Sequence, residues 1–318
     1  MKAITFKQTG GIENLKMEDV AVPDIKANEV LIQTKAIGIN QIDTFVRKRP
    51  ELVPIFLSPA PGQDTFILGW DISGVVTATG AHVTQFKKGD EVFGLVNFKG
   101  QGNAYAEYVA APAGHLALKP ANISHEEAAA ATLAALTAWQ SLVHVAQLQK
   151  GEKILIHAAG GGVGHYAVQI AKWLGAYVVA NVSTSKIEFV KQLGTDEVID
   201  HTQLKFEEKI TNADVVLDPI VGDHVLRSMD ALKKGGRLVA LMSFLNEPAI
   251  TDKIKEKGIT ALRHDVASSG EDMQQIANLL AGEQLRSHIA ARFAFADLPQ
   301  AHKAVEDGST TGKIVVTI

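Results

Sequence analysis

The first third of the chain alternates between apolar and polar positions. Residues Glu29 to Ala36 put Val30, Ile32, Thr34 and Ala36 on one side and Leu31, Gln33 and Lys35 on the other, the two-residue period of a half-buried strand. Met1 to Gly11, Ser73 to Thr79 and Glu91 to Leu95 are further short β-rich runs, and Lys88-Gly89-Asp90 has the chemistry of a strand connection. Short, unevenly spaced strands up to about Pro120 predict a compact barrel. From about Asn122 the period changes. Ser124 and Glu127 resemble a capping box in front of an alanine-rich run, which starts a helix. Strand and helix signals then alternate: strand Ile154 to Ala158, helix Gly162 to Leu174, strand Tyr177 to Val182, helix Lys186 to Leu193 and strand Val198 to His201. Strand Asp214 to Asp218, helix His224 to Leu232, strand Arg237 to Met242 and a last strand at Ile259 to Val266 continue the series. Apolar strands separated by helices are βαβ units, which build a doubly wound parallel sheet. Residues 267–318 hold a helix from about Asp272 to Leu280 and a terminal strand from Lys313. They are too few for a third domain and are expected to complete the first. The expected division is therefore 1–121 with 267–318 as one domain, and 122–266 as the other.

One segment carries recognisable chemistry. A strand runs into Ala159-Gly160-Gly161-Gly162-Val163-Gly164, and out of it comes a helix with Val163, Ala167, Ile170, Ala171 and Leu174 on one face. This is the strand–turn–helix context of a dinucleotide fingerprint. Gly161 lets the backbone approach a pyrophosphate, Gly164 lets helix and strand pack closely, and the helix N-terminus offers amides and positive dipole to the anion. Ala159 stands where the first glycine usually does, which is tolerable if the turn needs no positive φ there. The following strand ends in Asn181-Val182-Ser183-Thr184-Ser185-Lys186, with no acid at its tip. The Ser183 hydroxyl and the Lys186 cation suit a 2′-phosphate, so NADPH is the predicted cofactor; the alternative is that both merely cap the next helix. His201, at the end of the third strand, is a candidate for the adenine side or an ordinary surface histidine.

Composition narrows the field. The 318 residues carry 31 basic and 35 acidic side chains, a net charge of −4, with no Lys/Arg-rich block, so nucleic acid is not an expected partner. At 46% hydrophobic and 21% charged the chain has the make-up of a folded soluble protein. It contains no cysteine, which removes disulfides, a thiol nucleophile and thiolate metal sites. The N-terminus has no signal-peptide apolar region, and the longest apolar stretch, Ala128 to Trp139, falls short of the ~20 residues of a membrane span. No membrane association and a cytoplasmic location are expected. Other motif-like strings fail on inspection. Gly308 to Lys313 has the wrong spacing for a P-loop and leads into a strand, His125-Glu126 lacks a second zinc-binding histidine, and no GxSxG elbow exists. His157, at the end of a core strand, reads as packed or hydrogen-bonded rather than catalytic.

Several strings in order, KGDEVFG at 88–94, AIGINQID at 36–43, LTAW at 136–139, HAAGGGVG at 157–164 and the terminal GKIV at 312–315, resemble the medium-chain dehydrogenase/reductases, and most of all their zinc-free quinone oxidoreductase branch. The resemblance implies an α/β protein with a GroES-like β-barrel catalytic domain and a Rossmann domain holding NADPH. It places Asn40 and Asp43 at the substrate pocket as candidate catalytic residues, Thr137 and Ser243 near the nicotinamide, and Gly160, Gly161, Gly162, Val163 and Gly164 on the pyrophosphate. Asn40 also reads as a turn residue and Asp43 as a helix-start acid. Metal-dependent members carry zinc ligands where this sequence has Asn40, Trp70 and Leu133, so no metal is expected there. The resemblance also suggests a homodimer formed through the edge strand near Ile259 to Val266.

The same comparison exposes a departure. Pro61-Gly62-Gln63-Asp64 is separated from Gly69-Trp70-Asp71, so residues from about Pro50 to Leu68 read as an insertion with exposed-looking Leu52, Val53, Ile55, Phe56 and Leu57. It is expected to form a lid or pocket wall, or else a dimer contact or surface loop. Without zinc to hold a developing oxyanion, an acceptor that spreads its own charge is favoured. The expected substrate is a quinone, with the β-carbon of an enal or enone, or a low-turnover NADPH-binding role, as alternatives.

Overall fold

The computed structural model describes residues 1–318. Its chain opens with an antiparallel pair, β1 (Lys2–Phe6) and β2 (Lys16–Asp19), and the alternating run becomes β3 (Glu29–Ile39). Then come α1 (Gln41–Lys48), α2 (Val53–Leu57), β4 (Phe66–Ile67), β5 (Asp71–Thr79), β6 (Glu91–Leu95), β7 (Tyr108–Pro112) and β8 (Leu116–Leu118). The alanine-rich stretch folds as two short helices, α3 (His125–Ala130) and α4 (Leu133–Trp139). Ser124 and Glu127 close the capping box at the start of α3, each side chain satisfying a backbone amide of the other. Residues 128–140 are all buried, the alanine-rich stretch taking Thr132, Thr137 and Gln140 into the interior with it.

Strand and helix alternate next: β9 (Lys153–His157), α5 (Gly164–Trp173), β10 (Tyr177–Val182), α6 (Ile187–Gln192), β11 (Glu197–Asp200), β12 (Ala213–Asp218), α7 (His224–Asp230), β13 (Leu232–Ala240), α8 (Pro248–Lys257) and β14 (Thr260–Arg263). They form a six-stranded parallel sheet in the order β11-β10-β9-β12-β13-β14, reversing direction at β9 as a doubly wound sheet does. Leu155, Val216, Leu238, Met229 and Phe206 lie at the centre of its core. Two elements differ from the periodicity, α8, which it does not mark, and β13. Leu232, assigned to the end of a helix by its spacing, already begins β13, opposite Ala213, with a register shift before Val215 pairs with Arg237. The irregularity buries Leu232 in the core while Gly235 takes the left-handed backbone that the turn-like Lys-Gly-Gly string demands.

The chain ends with α9 (Gly270–Ala281), β15 (Ile289–Ala294), α10 (Leu298–Glu306) and β16 (Lys313–Thr317). These return to the first strands. β16 pairs antiparallel with β3, and the resulting sheet runs β15-β16-β3-β5-β6-β8, with β7 also on β3. Two compact units result, Met1–Leu136 with Ala267–Ile318, and Thr137–Val266. Residues 122–136 pack with the barrel.

The segment from Pro50 folds back on its own unit. A single turn leads into α2, and Phe66–Ile67 adds a short strand to β1. Leu57 is buried rather than exposed, while Ile55 remains 54% exposed. Phe56 packs against Phe98 and Trp70, with ring centroids 5.7 and 6.4 Å away. No helix is long and apolar enough to cross a membrane.

Candidate functional site

In the parallel-sheet unit, the glycine turn is shaped by lack of space. None of Gly160, Gly161, Gly162 and Gly164 adopts a left-handed backbone; that conformation falls on Ala158, at φ +48°. A Cβ on Gly164 would lie 2.2 Å from the Ala158 carbonyl oxygen and 2.7 Å from Ala159 Cα, so α5 can start against β9 only with glycine there. A Cβ on Gly161 would sit 3.1 Å from the same carbonyl. Val163 completes the turn into α5, whose first amides face outward from the helix N-terminus. This is a cradle that accepts an anion's close approach to backbone, and its residues fit a dinucleotide pyrophosphate.

Lys186 lies over the start of this turn. Its Cδ and Cβ are 3.0 and 3.2 Å from where a Gly160 Cβ would be, and burial lowers the pKa of its half-buried ammonium. Ser183 Oγ is 3.3 Å from Ser185 Oγ, so the hydroxyls cluster at the tip of β10 together with this cation. The structure adds an acid that the sequence order conceals. β11 pairs in parallel with β10, placing Asp200 opposite Val182. Asp200 accepts hydrogen bonds from the Thr184 hydroxyl at 2.5 Å and the Thr202 hydroxyl at 2.6 Å, and these hold its pKa below the ordinary value. The tip of β10 therefore has a carboxylate beside it, tied to threonines. His201 is exposed. Ser243 is buried, its hydroxyl donating to the Ile220 carbonyl at 3.0 Å, and Thr137 is buried on α4.

In the barrel unit, Asn40 sits at the junction of β3 and α1. Its Nδ2 donates to Asp71 Oδ2 at 2.8 Å, and its Oδ1 accepts from Lys313 Nζ, which also donates to the Ile39 carbonyl at 3.0 Å. Asp71 Oδ1 accepts from the Leu133 amide at 3.1 Å. Asp43 performs the helix-start role: its Oδ2 accepts from the Asn40 backbone amide at 2.7 Å, capping α1. Fully buried, the Asp43 carboxyl is pushed up to about 7 by desolvation and then by the nearby Asp71 carboxylate. The Tyr105 hydroxyl, hydrogen-bonded to the carboxyl, opposes a small part of that shift. The same hydroxyl is 2.8 Å from His302 Nε2; Arg47 Nε donates to His302 Nδ1 at 3.3 Å and Arg47 also pairs with Glu306. Since Arg47 can only donate, His302 Nδ1 accepts and Nε2 carries the hydrogen offered to Tyr105. Asn40 and Asp43 thus belong to one buried network with Asp71, Lys313, Tyr105 and His302. Sequence reasoning singled out only the first two. Lys313 was legible merely as part of the terminal GKIV string.

The positions expected to hold zinc in metal-dependent relatives do not suit a cation. Both ends of the Asn40 amide are engaged. Trp70, fully buried, donates its indole N–H to the Gly100 carbonyl at 2.7 Å, and an indole N–H is not a ligand. Leu133 offers an alkyl side chain.

Known proteins resemble the chain in both sequence and fold. A family model described as alcohol dehydrogenase GroES-like domain matches residues 26–121, and one described as zinc-binding dehydrogenase matches residues 193–316. The chain is 34% identical to 2-methylene-furan-3-one reductase of Solanum lycopersicum, over 99% of this chain and 79% of that protein. The quinone oxidoreductase from Coxiella burnetii superposes with a TM-score of 0.92 at 32% identity, covering 100% of this chain and 99% of that one. Escherichia coli quinone oxidoreductase complexed with NADPH gives a TM-score of 0.86 at 26% identity, with 100% of both chains covered.

Proposed function

The chain belongs to the zinc-independent medium-chain dehydrogenase/reductases, in their quinone oxidoreductase-like branch, and on that premise we propose that it reduces a quinone with NADPH. At the coarser level it is an NAD(P)H-dependent oxidoreductase. The observation that carries the finer reading lies in the barrel unit: a carboxamide (Asn40), an indole (Trp70) and an alkyl group (Leu133) stand where a Lewis acid would need ligands. A quinone delocalises the charge that hydride delivery creates, so it asks only for hydrogen bonds and orientation.

A bound nicotinamide supplies the hydride. Gly160, Gly161, Gly162, Val163 and Gly164 receive the pyrophosphate, Ser183 and Lys186 take the 2′-phosphate, and His201 flanks the adenine side. Lys186 neutralises the phosphate while Asp200 is kept occupied by Thr184 and Thr202. Thr137 and Ser243 border the nicotinamide. Asn40 directs its remaining amide hydrogen at the acceptor's carbonyl oxygen, its rotamer held by Lys313 and Asp71. Asp43 acts as a positioning residue through the Asn40 backbone. The protein works as a homodimer through β14, one of the two edges of the parallel sheet, where Leu262 is exposed.

A second reading, reduction of an enone double bond, is favoured by the 34% identity to a 2-methylene-furan-3-one reductase. Steady-state oxidation of NADPH and NADH against a panel of quinones, enones and saturated ketones decides. NADPH-dependent turnover of quinones supports the proposal, preference for enones transfers it to the second reading, and activity on saturated ketones alone rejects both. Size-exclusion chromatography with light scattering tests the dimer, and a monomer rejects it.

A further inference from the structure

Beneath the glycine turn, at the carboxyl ends of the parallel strands, lies a polar cluster that hydride transfer leaves unused. His157 ends β9, Asp218 ends β12, and His224 and Ser228 sit one helical turn apart on the same face of α7. Ser228 Oγ is 2.7 Å from Asp218 Oδ2, 3.0 Å from His157 Nε2 and 3.3 Å from His224 Nδ1. His224 Nδ1 is in turn 2.9 Å from Asp218 Oδ2. We propose that His157 Nε2, Asp218 Oδ2, His224 Nδ1 and Ser228 Oγ form a four-coordinate binding site for a divalent transition ion of the zinc class.

The geometry is close to what such an ion needs. Bonds of ~2.0–2.1 Å in a tetrahedron separate the donor atoms by ~3.4 Å; the four separations just given are 2.7–3.3 Å, and the His157, Asp218 and His224 donor atoms all lie within 4.8 Å of one another, so small shifts of these side chains seat the ion. Two imidazoles, one carboxylate and one hydroxyl suit zinc or cobalt, whereas calcium needs six or more oxygens. Phe206 packs against both imidazoles, with ring centroids 4.4 Å from His157 and 5.2 Å from His224, and keeps the site dry. The neighbouring Arg227 does not compete with a cation for Asp218, because Glu207 holds its guanidinium in two hydrogen bonds of 2.7 and 2.8 Å. His224 is the accessible corner, its side chain 15% exposed against 1% for Asp218.

A second, independent observation is the side chain behind His157. Asn181, on β10, has its amide nitrogen 2.8 Å from His157 Nδ1, while its Oδ1 is buried without any hydrogen-bond partner. A half-turn of that amide lets Oδ1 accept a hydrogen from Nδ1. The orphaned oxygen is then satisfied, and the tautomer selected is the one whose Nε2 lone pair points at the ion, the usual arrangement behind a ligating histidine. The ion would tie β9 and β12 to α7 and stiffen the loop of residues 219–223. This inference does not depend on the acceptor or cofactor proposed above, and its site is remote in sequence from Asn40, Trp70 and Leu133.

The test uses untagged full-length protein dialysed against metal-free buffer, followed by elemental analysis and by titration with Co2+ monitored through its visible ligand-field bands. The chain has no cysteine, so no thiolate contributes to those bands. Expected are one equivalent of tightly held metal per chain as purified and, once a chelator has stripped it, a four-coordinate Co2+ spectrum that Zn2+ abolishes and a rise in Tm on adding Zn2+. His224→Ala, at the exposed corner, should weaken Co2+ binding at least tenfold and lose the Zn2+-dependent rise in Tm, while Asn181→Leu should weaken binding ~10–100-fold. NADPH binding by His224→Ala shows that the variant is folded. Absence of retained metal together with absence of a four-coordinate Co2+ spectrum overturns the proposal, as does wild-type Co2+ affinity in His224→Ala.

Discussion

Lys313 Nζ lies 3.8 Å from Asp71 Oδ2, with the two side chains 3% and 0% exposed, and Asn40 links them through opposite ends of its amide. An ammonium and a carboxylate so deeply buried are tolerable only together, because either alone would be an uncompensated charge in a low-dielectric interior. Burial lowers the Lys313 pKa and raises that of Asp71, and the attraction between the two opposes both shifts. Lys313→Met should therefore destabilise the barrel unit by ~3–5 kcal/mol, and adding Asp71→Asn should recover a large part of the loss. Urea denaturation of the wild type, both single variants and the double variant measures this. Strictly additive losses would show that the pair is not coupled.

Gly164→Ala tests the closeness of α5 to β9. The added methyl would meet the Ala158 carbonyl at 2.2 Å, which is backbone and cannot swing aside. A loss of ~1–3 kcal/mol in stability and a tenfold or greater rise in the Kd for NADPH are expected. Intrinsic fluorescence titration and thermal unfolding read both. Unchanged affinity would separate the glycine turn from the cofactor.

Lys186→Ala addresses the choice between cofactors. If the ammonium meets the 2′-phosphate, the Kd for NADPH should rise at least tenfold, about 1.4 kcal/mol, with little change for NADH. The variant has a competing outcome built in. Asp200 stands beside the tip of β10, so removing the cation leaves a carboxylate there and should shift preference toward NADH. Equal losses for both cofactors would place Lys186 elsewhere than at the phosphate.

Asp43 should leave a mark on the pH dependence of stability. Desolvation, reinforced by Asp71, pushes its carboxyl up to about 7 from the ordinary 3.8, so in that window the folded chain holds a proton that the unfolded chain releases. Stability from this group is greatest below 3.8 and falls as pH rises toward 7, by at most ~1.4 kcal/mol per pH unit. His302 works in the opposite sense. Burial and the Arg47 cation push it down to about 3 from 6.5, so its contribution is present above 6.5 and lost as pH falls. Asp43→Asn keeps an oxygen that can accept from the Asn40 amide and removes only the first slope. The Tm of the variant relative to wild type should climb between pH 5 and 7 and then level off. A difference that does not vary with pH over that range would mean that Asp43 is ionised throughout.

Features written within a few residues of one another were legible without the structure. The capping box at Ser124 and Glu127 needs only three residues of spacing, and the glycine turn needs only a strand before it and a helix after it. Periodicity likewise sufficed for the order of strands and helices from Lys153 to Ala240, because the two periods reflect which face of each element meets the core, but it left out α8. It failed at Leu232, where an irregular pairing with Ala213 outweighed the helical spacing. Contacts across the sheet were beyond it. Lys313 reaches Asn40 across 273 residues because β16 lies antiparallel to β3 with Ile314 opposite Ile39, and no local pattern records that register. Asp200 comes beside the tip of β10 through strand pairing, and His157 meets Asp218 and Ser228 through the sheet order that puts β12 next to β9. The sequence by itself determined the fold class, the family and the glycine turn between β9 and α5, since each depends on local spacing and composition. Which buried charges face one another was decided only by tertiary structure, because strand order and register, not proximity along the chain, bring those side chains within a few ångströms.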